Sequence, residues 1–317
     1  MNDLSDIRPT SISHVVGQEH VKSVVTVALD FAHQEHKKFD HSMMLGGAGL
    51  GKTALSQIIA QEMATEFIEL LGQSINTVAD LNAVLLSAKD RSIVFIDEAH
   101  ELSKSLQTTL YLALDQRKIL VHGGTNKAPI SIPIADFTLL LATTDEYLLL
   151  QPLRDRMKLV LRFEYYSTDE LTLILKQRVT GLKWNVEDSV LHEIAVKGKG
   201  TPRLALRLLE SAHRVSRSQG ENVITQDHLQ RACDLEQIDE LGLGPTEQKY
   251  LKIISSGPTR LNVISSTLGL PTRTVSEVTE PYLIRAGLIA KDDQGRRTIT
   301  SKGQSHLSNK CHIQEQN

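Results

Sequence analysis

Cysteine is nearly missing from this 317-residue chain. Cys233 and Cys311 stand far apart, which fits reduced thiols and argues against a disulfide scaffold or a cysteine-built zinc site. Histidine offers no substitute, because none of the 12 His residues forms an H-x-x-x-H or H-E-x-x-H pair. No uninterrupted apolar run approaches the roughly 18 residues of a membrane span, and Met1 to Pro9 lacks the apolar core of a signal peptide, so a cytoplasmic location is expected. Charge of one sign is lacking too: the net charge of -3 gives no global signal for nucleic acid or membrane. No repeat or low-complexity segment stands out.

What is present is the composition of a soluble globular protein, 40% hydrophobic and 23% charged, long enough for two or three domains. Charge is uneven along it. From Pro245 onward ten Lys/Arg face six acids, a segment charge of +4 that leaves -7 for the remainder.

Residues 46 to 53 read Gly46-Gly47-Ala48-Gly49-Leu50-Gly51-Lys52-Thr53, a complete G-x-x-x-x-G-K-[ST] phosphate loop. Glycines let consecutive backbone N–H groups curl around an anion. Lys52 supplies a point charge for the β- and γ-phosphates, and the Thr53 hydroxyl can ligate Mg²⁺. The required context is there: an apolar strand-like run, Met43 to Leu45, precedes the loop, and a helix-forming run, Ala54 to Met63, follows it and turns its positive end toward the phosphates. An ordinary glycine-rich turn lacks that context. Nucleoside triphosphate binding is therefore expected.

Strand-like runs at Met43–Leu45, Glu66–Leu70, Ile93–Ile96 and Thr138–Leu141 alternate with helical patterns, which predicts a parallel α/β sheet. After Tyr166 the pattern turns helical, with Ser167 to Glu170 as an N-terminal cap and helices near Leu171–Arg178, Glu187–Ala195 and Pro202–Ser216. Leu241 to Pro245 breaks this pattern as a linker. Helices near Thr246–Ser255, Leu261–Leu268 and Thr272–Ala286 come next, then two strands, Leu288–Lys291 and Arg297–Thr300, about the turn Asp292 to Gly295. Three helices and a hairpin describe a winged helix. The expected division is an α/β P-loop domain over 1–166, a helical domain over 167–242, a winged helix over 243–309, and a frayed tail over 310–317.

The run Ile93-Val94-Phe95-Ile96 ends in Asp97-Glu98, as when a buried strand delivers carboxylates to the ligand-binding edge of a sheet. Asp97 is placed for Mg²⁺, and Glu98 is the candidate to activate the attacking water, since phosphoryl transfer needs positioning and charge neutralisation above all. Ala99-His100 completes an Asp-Glu-Ala-His tetrapeptide, but the second sheet domain of two-RecA helicases is missing downstream. His100 reads as a polar helix-start residue.

With the loop, the acidic pair, Ala142-Thr143-Thr144, Pro152 to Arg156 and Gly200-Thr201-Pro202-Arg203 in this order, the chain resembles the RuvB family, the AAA+ motors of Holliday-junction branch migration. The likeness runs from about Arg8 to Leu307. It is carried also by Glu164-Tyr165-Tyr166, Asp239 to Leu243, and Glu280 to Ile284, motifs that generic AAA+ proteins lack. The resemblance implies an AAA+ large domain, a lid and a DNA-binding winged helix. For the nucleotide it implies contacts from Ile7, Arg8, Val16, Gly17, Gly46, Gly49, Leu50, Gly51, Lys52, Thr53, Ala54, Tyr166, Pro202 and Arg203. Thr144 takes the place of sensor 1, Arg203 that of sensor 2, and Arg156 that of the arginine finger, which acts in a neighbouring subunit and so requires a ring, hexameric in the family, around duplex DNA. Ordinary pairing is expected for Arg154, Arg162 and Arg207.

A hairpin between Lys118 and Ile134, with Gly123-Gly124 at its tip, corresponds to the family's docking element for RuvA, the junction-binding partner. Packing of its isoleucines on the protein's own sheet is the competing reading, and the sequence leaves both open. Arg296 and Arg297 stand where the family's wing grips DNA phosphates, with Asp292 and Asp293 beside them as expected sources of repulsion. Gly47-Ala48, Ala99, Glu101, Asp145 and Met157 depart from the family pattern as in a divergent paralogue, and none removes a catalytic group. The alternatives are an AAA+ ATPase with another DNA or protein remodelling or loading task, and a nucleotide-dependent regulator with little hydrolysis.

Overall fold

A computed structural model of the chain describes residues 9–121 and 130–314. These fall into two compact units, one running up to Lys183 together with Gly200–Arg203, the other comprising Trp184–Lys199 and everything from Leu204 onward.

The first unit is built on five parallel strands: β1 (Ser42–Leu45), β2 (Phe67–Leu71), β3 (Ile93–Asp97), β6 (Thr138–Thr143) and β7 (Leu159–Arg162), in the order β2-β3-β6-β1-β7. Its central strands are near-continuous apolar runs because helices cover both faces. Alternate residues go to opposite sides. Met43, Leu45, Val94, Ile96, Leu139 and Leu141 pack with Leu81, Leu85, Leu106 and Leu110 of helices α3 (Val78–Ser87) and α4 (Lys104–Gln116). Met44, Ile93, Phe95, Leu140 and Ala142 pack with Val21, Val25, Leu55 and Ile59 of α1 (Glu19–Gln34) and α2 (Lys52–Glu62). A four-residue helix, α5 (Gln151–Arg154), precedes β7. The unit also contains α6 (Thr168–Leu182), whose start is fixed by a reciprocal Ser167–Glu170 capping box.

Strands β4 (Lys118–Val121) and β5 (Ile130–Pro133) pair antiparallel, Val121 opposite Ile130. Their faces divide the two readings of the hairpin. Ile119, Ile132 and Ile134 pack on the sheet's core, while Leu120 and Ile130 are exposed at 50% and 59%. The tip, with Gly123 and Gly124, lies outside the described residues, as do Ile7 and Arg8.

The second unit holds helices α7 (Asp188–Lys197), α8 (Pro202–Ser218) and α9 (Gln226–Glu236), with the two-residue parallel pair β8 (Asn185–Val186) and β9 (Val223–Ile224). α8 buries Ala205, Leu208, Leu209, Ala212 and Val215 along one stripe. Three further helices and a hairpin follow: α10 (Pro245–Ser255), α11 (Leu261–Leu268), then α12 (Thr272–Thr274) and α13 (Glu280–Arg285), and the strands β10 (Ile289–Lys291) and β11 (Arg297–Ile299). They share a core of Tyr250, Leu251, Ile254, Ile264, Val275, Leu283 and Leu288. The continuous helix expected over Thr272–Ala286 is interrupted by a π turn, Val275–Thr279. Pro281, at the start of α13, has no N–H to donate backward, so the regular ladder breaks there. α14 spans Ser301–Gln314 and so runs into the segment expected to fray.

Candidate active site

The carboxyl ends of β1, β6 and β3 are neighbours in the sheet, and each carries one part of the site. The phosphate loop leaves β1. Its Gly46 has φ 150°, and a Cβ there would stand 2.9 Å from Phe163 Cβ; Gly49 has φ 77°, and a Cβ there would stand 2.7 Å from Arg203 Cβ. Bare backbone is thus required both for the loop's curl and for the approach of Arg203. Lys52 is buried, and its Nζ donates to the carbonyls of Gly46 at 2.7 Å and Gly47 at 2.9 Å. Burial lowers its pKa, the nearby Arg203 adds to this, and Glu98 and Asp97 work in the opposite direction.

Asp97 closes β3 with both oxygens engaged. Thr53 Oγ1 donates to Oδ2 at 3.0 Å and the Glu98 N–H to Oδ1 at 2.9 Å. Glu98 then turns through a left-handed conformation, φ 47°. Its backbone is met by Gly72, in the turn after β2, where any Cβ would collide with the Glu98 carbonyl. That glycine carries no recognisable local motif and was invisible in the sequence.

At the end of β6, Thr143 is fully buried and Thr144 exposed. Thr143 Oγ1 lies 2.9 Å from His100 Nδ1, and the same nitrogen lies 3.4 Å from Glu98 Oε2. His100, read from the sequence as a bland helix-start residue, is therefore seated between the end of β6 and the acidic pair. Gln107 of α4 is buried beside this turn, donating to the carbonyls of Leu102 at 2.9 Å and Leu148 at 3.3 Å and accepting from the Leu150 N–H at 2.7 Å.

On the other flank of the loop, Tyr166 O–H donates to the Leu50 carbonyl at 3.1 Å, and burial pushes its phenol up to about 12. The Gln18 side chain brackets the backbone of Glu164, donating to its carbonyl at 2.7 Å and accepting from its N–H at 3.0 Å. A Cβ on Gly17 would stand 3.0 Å from the Tyr166 ring, so Val16-Gly17, Leu50 and Tyr166 are brought together. Gly200 accepts from the Tyr166 N–H at 3.0 Å, which carries Pro202 and Arg203 to the same unit.

Arg156 takes its partners away from the loop. Its guanidinium meets Asp115 of α4 in a bidentate pair, with Nε 2.9 Å from Oδ1, donates to the Pro152 carbonyl at 2.6 Å, and lies over the Tyr111 ring at 5.2 Å. Arg154 and Arg162 both face Glu146, and Arg207 pairs with Glu236.

In the winged helix the two arginines expected at the DNA are held differently. Arg297 turns inward: Nε lies 2.7 Å and one Nη 3.1 Å from the carboxylate of Glu280, which is 1% exposed and also accepts from Tyr250 O–H at 2.7 Å. It is the counter-ion of a buried acid, and that geometry leaves it a poor grip for phosphate. Arg296 is more exposed and pairs with Asp292 at 2.7 Å. Asp292 in turn accepts from the N–H groups of Gln294 at 3.0 Å and Arg296 at 2.8 Å, so it builds the turn of the wing. Cys233 is buried, which pushes its thiol up to about 11. Among the described residues no helix is long and apolar enough to cross a membrane.

A phosphate loop on β1, an acidic pair ending β3, a polar strand end between them and an arginine held at the far end of α4 define a P-loop ATPase of the AAA+ class. Three family models cover nearly the whole chain: the Holliday junction DNA helicase RuvB P-loop domain over residues 7–163, the RuvB AAA lid domain over 166–239, and the RuvB C-terminal winged helix domain over 240–308. The chain belongs to the RuvB family. It is 35% identical over 307 residues to the Holliday junction branch migration complex subunit RuvB of Thermotoga maritima, covering 95% of this chain and 92% of that protein. The Ehrlichia ruminantium subunit is 35% identical over 306 residues, with the same coverage. Among solved structures, the Thermotoga maritima RuvB branch migration motor superposes with a TM-score of 0.82 at 34% identity, over 95% of this chain and 98% of that one.

Proposed function

We propose that this chain is an ATP-driven motor that translocates double-stranded DNA to promote Holliday junction branch migration in recombination and repair, working in the cytoplasm as a homo-oligomeric ring with a RuvA-like junction-binding partner. The observation that carries the reading is the gathering of Lys52, Thr53, Asp97 and Glu98 at one sheet edge while Arg156 is held elsewhere on its own subunit. A guanidinium placed so serves a neighbour's site, and a ring, hexameric as in the family, supplies that neighbour.

In this reading the loop N–H groups and Lys52 hold the β- and γ-phosphates of ATP. Thr53 Oγ1 and Asp97, 3.0 Å apart, form a hard-oxygen pair suited to Mg²⁺. No group of three or more His, Cys, Asp or Glu gathers as a metal cage among the described residues, and Mg²⁺ in such sites uses one or two protein oxygens together with phosphates and water. When bound, the ion neutralises charge developing on the phosphate oxygens. Glu98 takes a proton from the attacking water, Thr144 orients the water or γ-phosphate, and Arg203 reports nucleotide state to the lid. Tyr166, Leu50, Val16, Gly17 and Pro202 enclose the base; Ile7 and Arg8, which lie outside the described residues, are assigned to the nucleotide by the family resemblance alone. The division 1–166, 167–242 and 243–309 into motor, lid and wing belongs to the same reading. Arg296 provides the wing's phosphate contact.

Steady-state ATP turnover with and without a four-way junction, alone and with the RuvA-like partner, tests this. Stimulation by duplex DNA is expected. Turnover indifferent to DNA at low salt would replace the reading with an AAA+ ATPase of another remodelling or loading task.

A further inference from the structure

Glu98 is a carboxylate with two unlike oxygens. The side chain as a whole is 38% exposed, yet Oε2 is buried and has no hydrogen-bond partner in the protein. A dry, unsatisfied carboxylate oxygen is costly, and a donor that can reach it fixes how the other oxygen points. His100 Nδ1 stands 3.4 Å from that oxygen, without the alignment of a hydrogen bond, on a side chain only 11% exposed.

The tautomer follows from Thr143. Its hydroxyl donates to the Asp145 carbonyl at 3.0 Å and accepts from the Asp145 N–H at 3.0 Å. With its single proton committed, Thr143 Oγ1 meets His100 Nδ1 at 2.9 Å as an acceptor, so Nδ1 carries the hydrogen. Nε2 faces Glu101 Oε1 at 3.5 Å. One N–H is therefore poised between two acceptors on different strands, Thr143 ending β6 and Glu98 following β3, and a small ring movement trades one for the other.

We propose that His100 is a positioning residue for phosphoryl transfer: its Nδ1–H moves from Thr143 to the buried oxygen of Glu98 and holds the exposed oxygen toward the water to be activated. This rests on Glu98 being the water-activating base. No group is consumed in the step; a hydrogen bond changes acceptor.

The test compares His100→Ala, His100→Asn and His100→Gln in the full-length chain, because an Asn amide reproduces a donor near Nδ1 whereas a Gln amide reaches the position of Nε2. Expected are a loss of kcat on the order of 10-fold to 100-fold for Ala and Gln, retention within about threefold for Asn, and KM and nucleotide affinity within about twofold throughout. In a Glu98→Gln background, His100→Ala should cost less than about a further twofold, because both changes act through one carboxylate. Equal activity of Asn and Gln variants, or a fall in nucleotide affinity as large as the fall in kcat, would overturn the proposal; that comparison stands even where the Ala variant does not fold. Full turnover by Glu98→Gln alone would instead overturn the assignment of the base. Silence of the His100 variants beside an inactive Glu98→Gln removes only the role of His100.

Discussion

At the sheet edge Glu98 is more than a third exposed with one oxygen unpaired, whereas Glu280 of the winged helix is 1% exposed and answered by Tyr250, Arg297 and, at 3.9 Å, Lys291. The first arrangement leaves a carboxylate oxygen without a hydrogen-bond donor, with His100 Nδ1 3.4 Å away. The second spends its charge on the protein's own core. A basic residue next to a wing turn is thus not by itself a DNA contact; what its guanidinium already holds decides what it can offer.

Four changes would break or sharpen that contrast. The largest effect is expected for Arg156→Ala, a loss of turnover of about 10³-fold or more, since a finger in trans acts on the transferring phosphoryl group. Mixing this variant with Lys52→Ala chains should restore part of the rate, and no recovery at any ratio would remove the finger from the neighbour's site. Glu98→Gln should slow turnover by about 10²-fold to 10⁴-fold while ATP binding persists, measured by nucleotide affinity beside single-turnover hydrolysis. Arg297→Ala strands the buried carboxylate of Glu280, so thermal and denaturant melts should report a loss of about 3 kcal/mol in the winged helix. An unchanged melt would place Arg297 back among the free basic groups. The smallest effect belongs to Arg296→Ala: an unaltered melt, and a decrease of about one in the slope of log affinity against log salt for duplex DNA.

Much of the site was legible because its chemistry is written in short contiguous stretches. Met43 to Thr53 and Ile93 to Glu98 each carry strand, turn and functional group within a few residues. Distance in sequence hid the rest. His100 and Thr143 lie 43 positions apart and meet only because β6 sits beside β3. Arg297 and Glu280 lie 17 apart, and the local turn signal at Gly295 gave no hint of the buried acid. β7 escaped as well: Leu159 to Arg162 is four residues long and only Leu161 is buried, so its alternation is too brief to read. The hairpin left two readings because alternate residues of β4 and β5 face opposite ways, Ile119 and Ile132 onto the core and Leu120 and Ile130 outward.

α4 runs from the turn that follows β3 to the start of β4. It is 13 residues long, about 20 Å, and begins just after the turn that seats His100. Along its length Gln107 grips the exit from β6 and Asp115 grips Arg156, and one residue past its end the chain enters β4, whose Leu120 faces outward. It ties the ribbon of β4 and β5 to the guanidinium of Arg156 through a single helix. In the proposed ring, where Arg156 serves the neighbouring subunit's site, a pull on the ribbon of one copy would be felt at the hydrolytic centre of another.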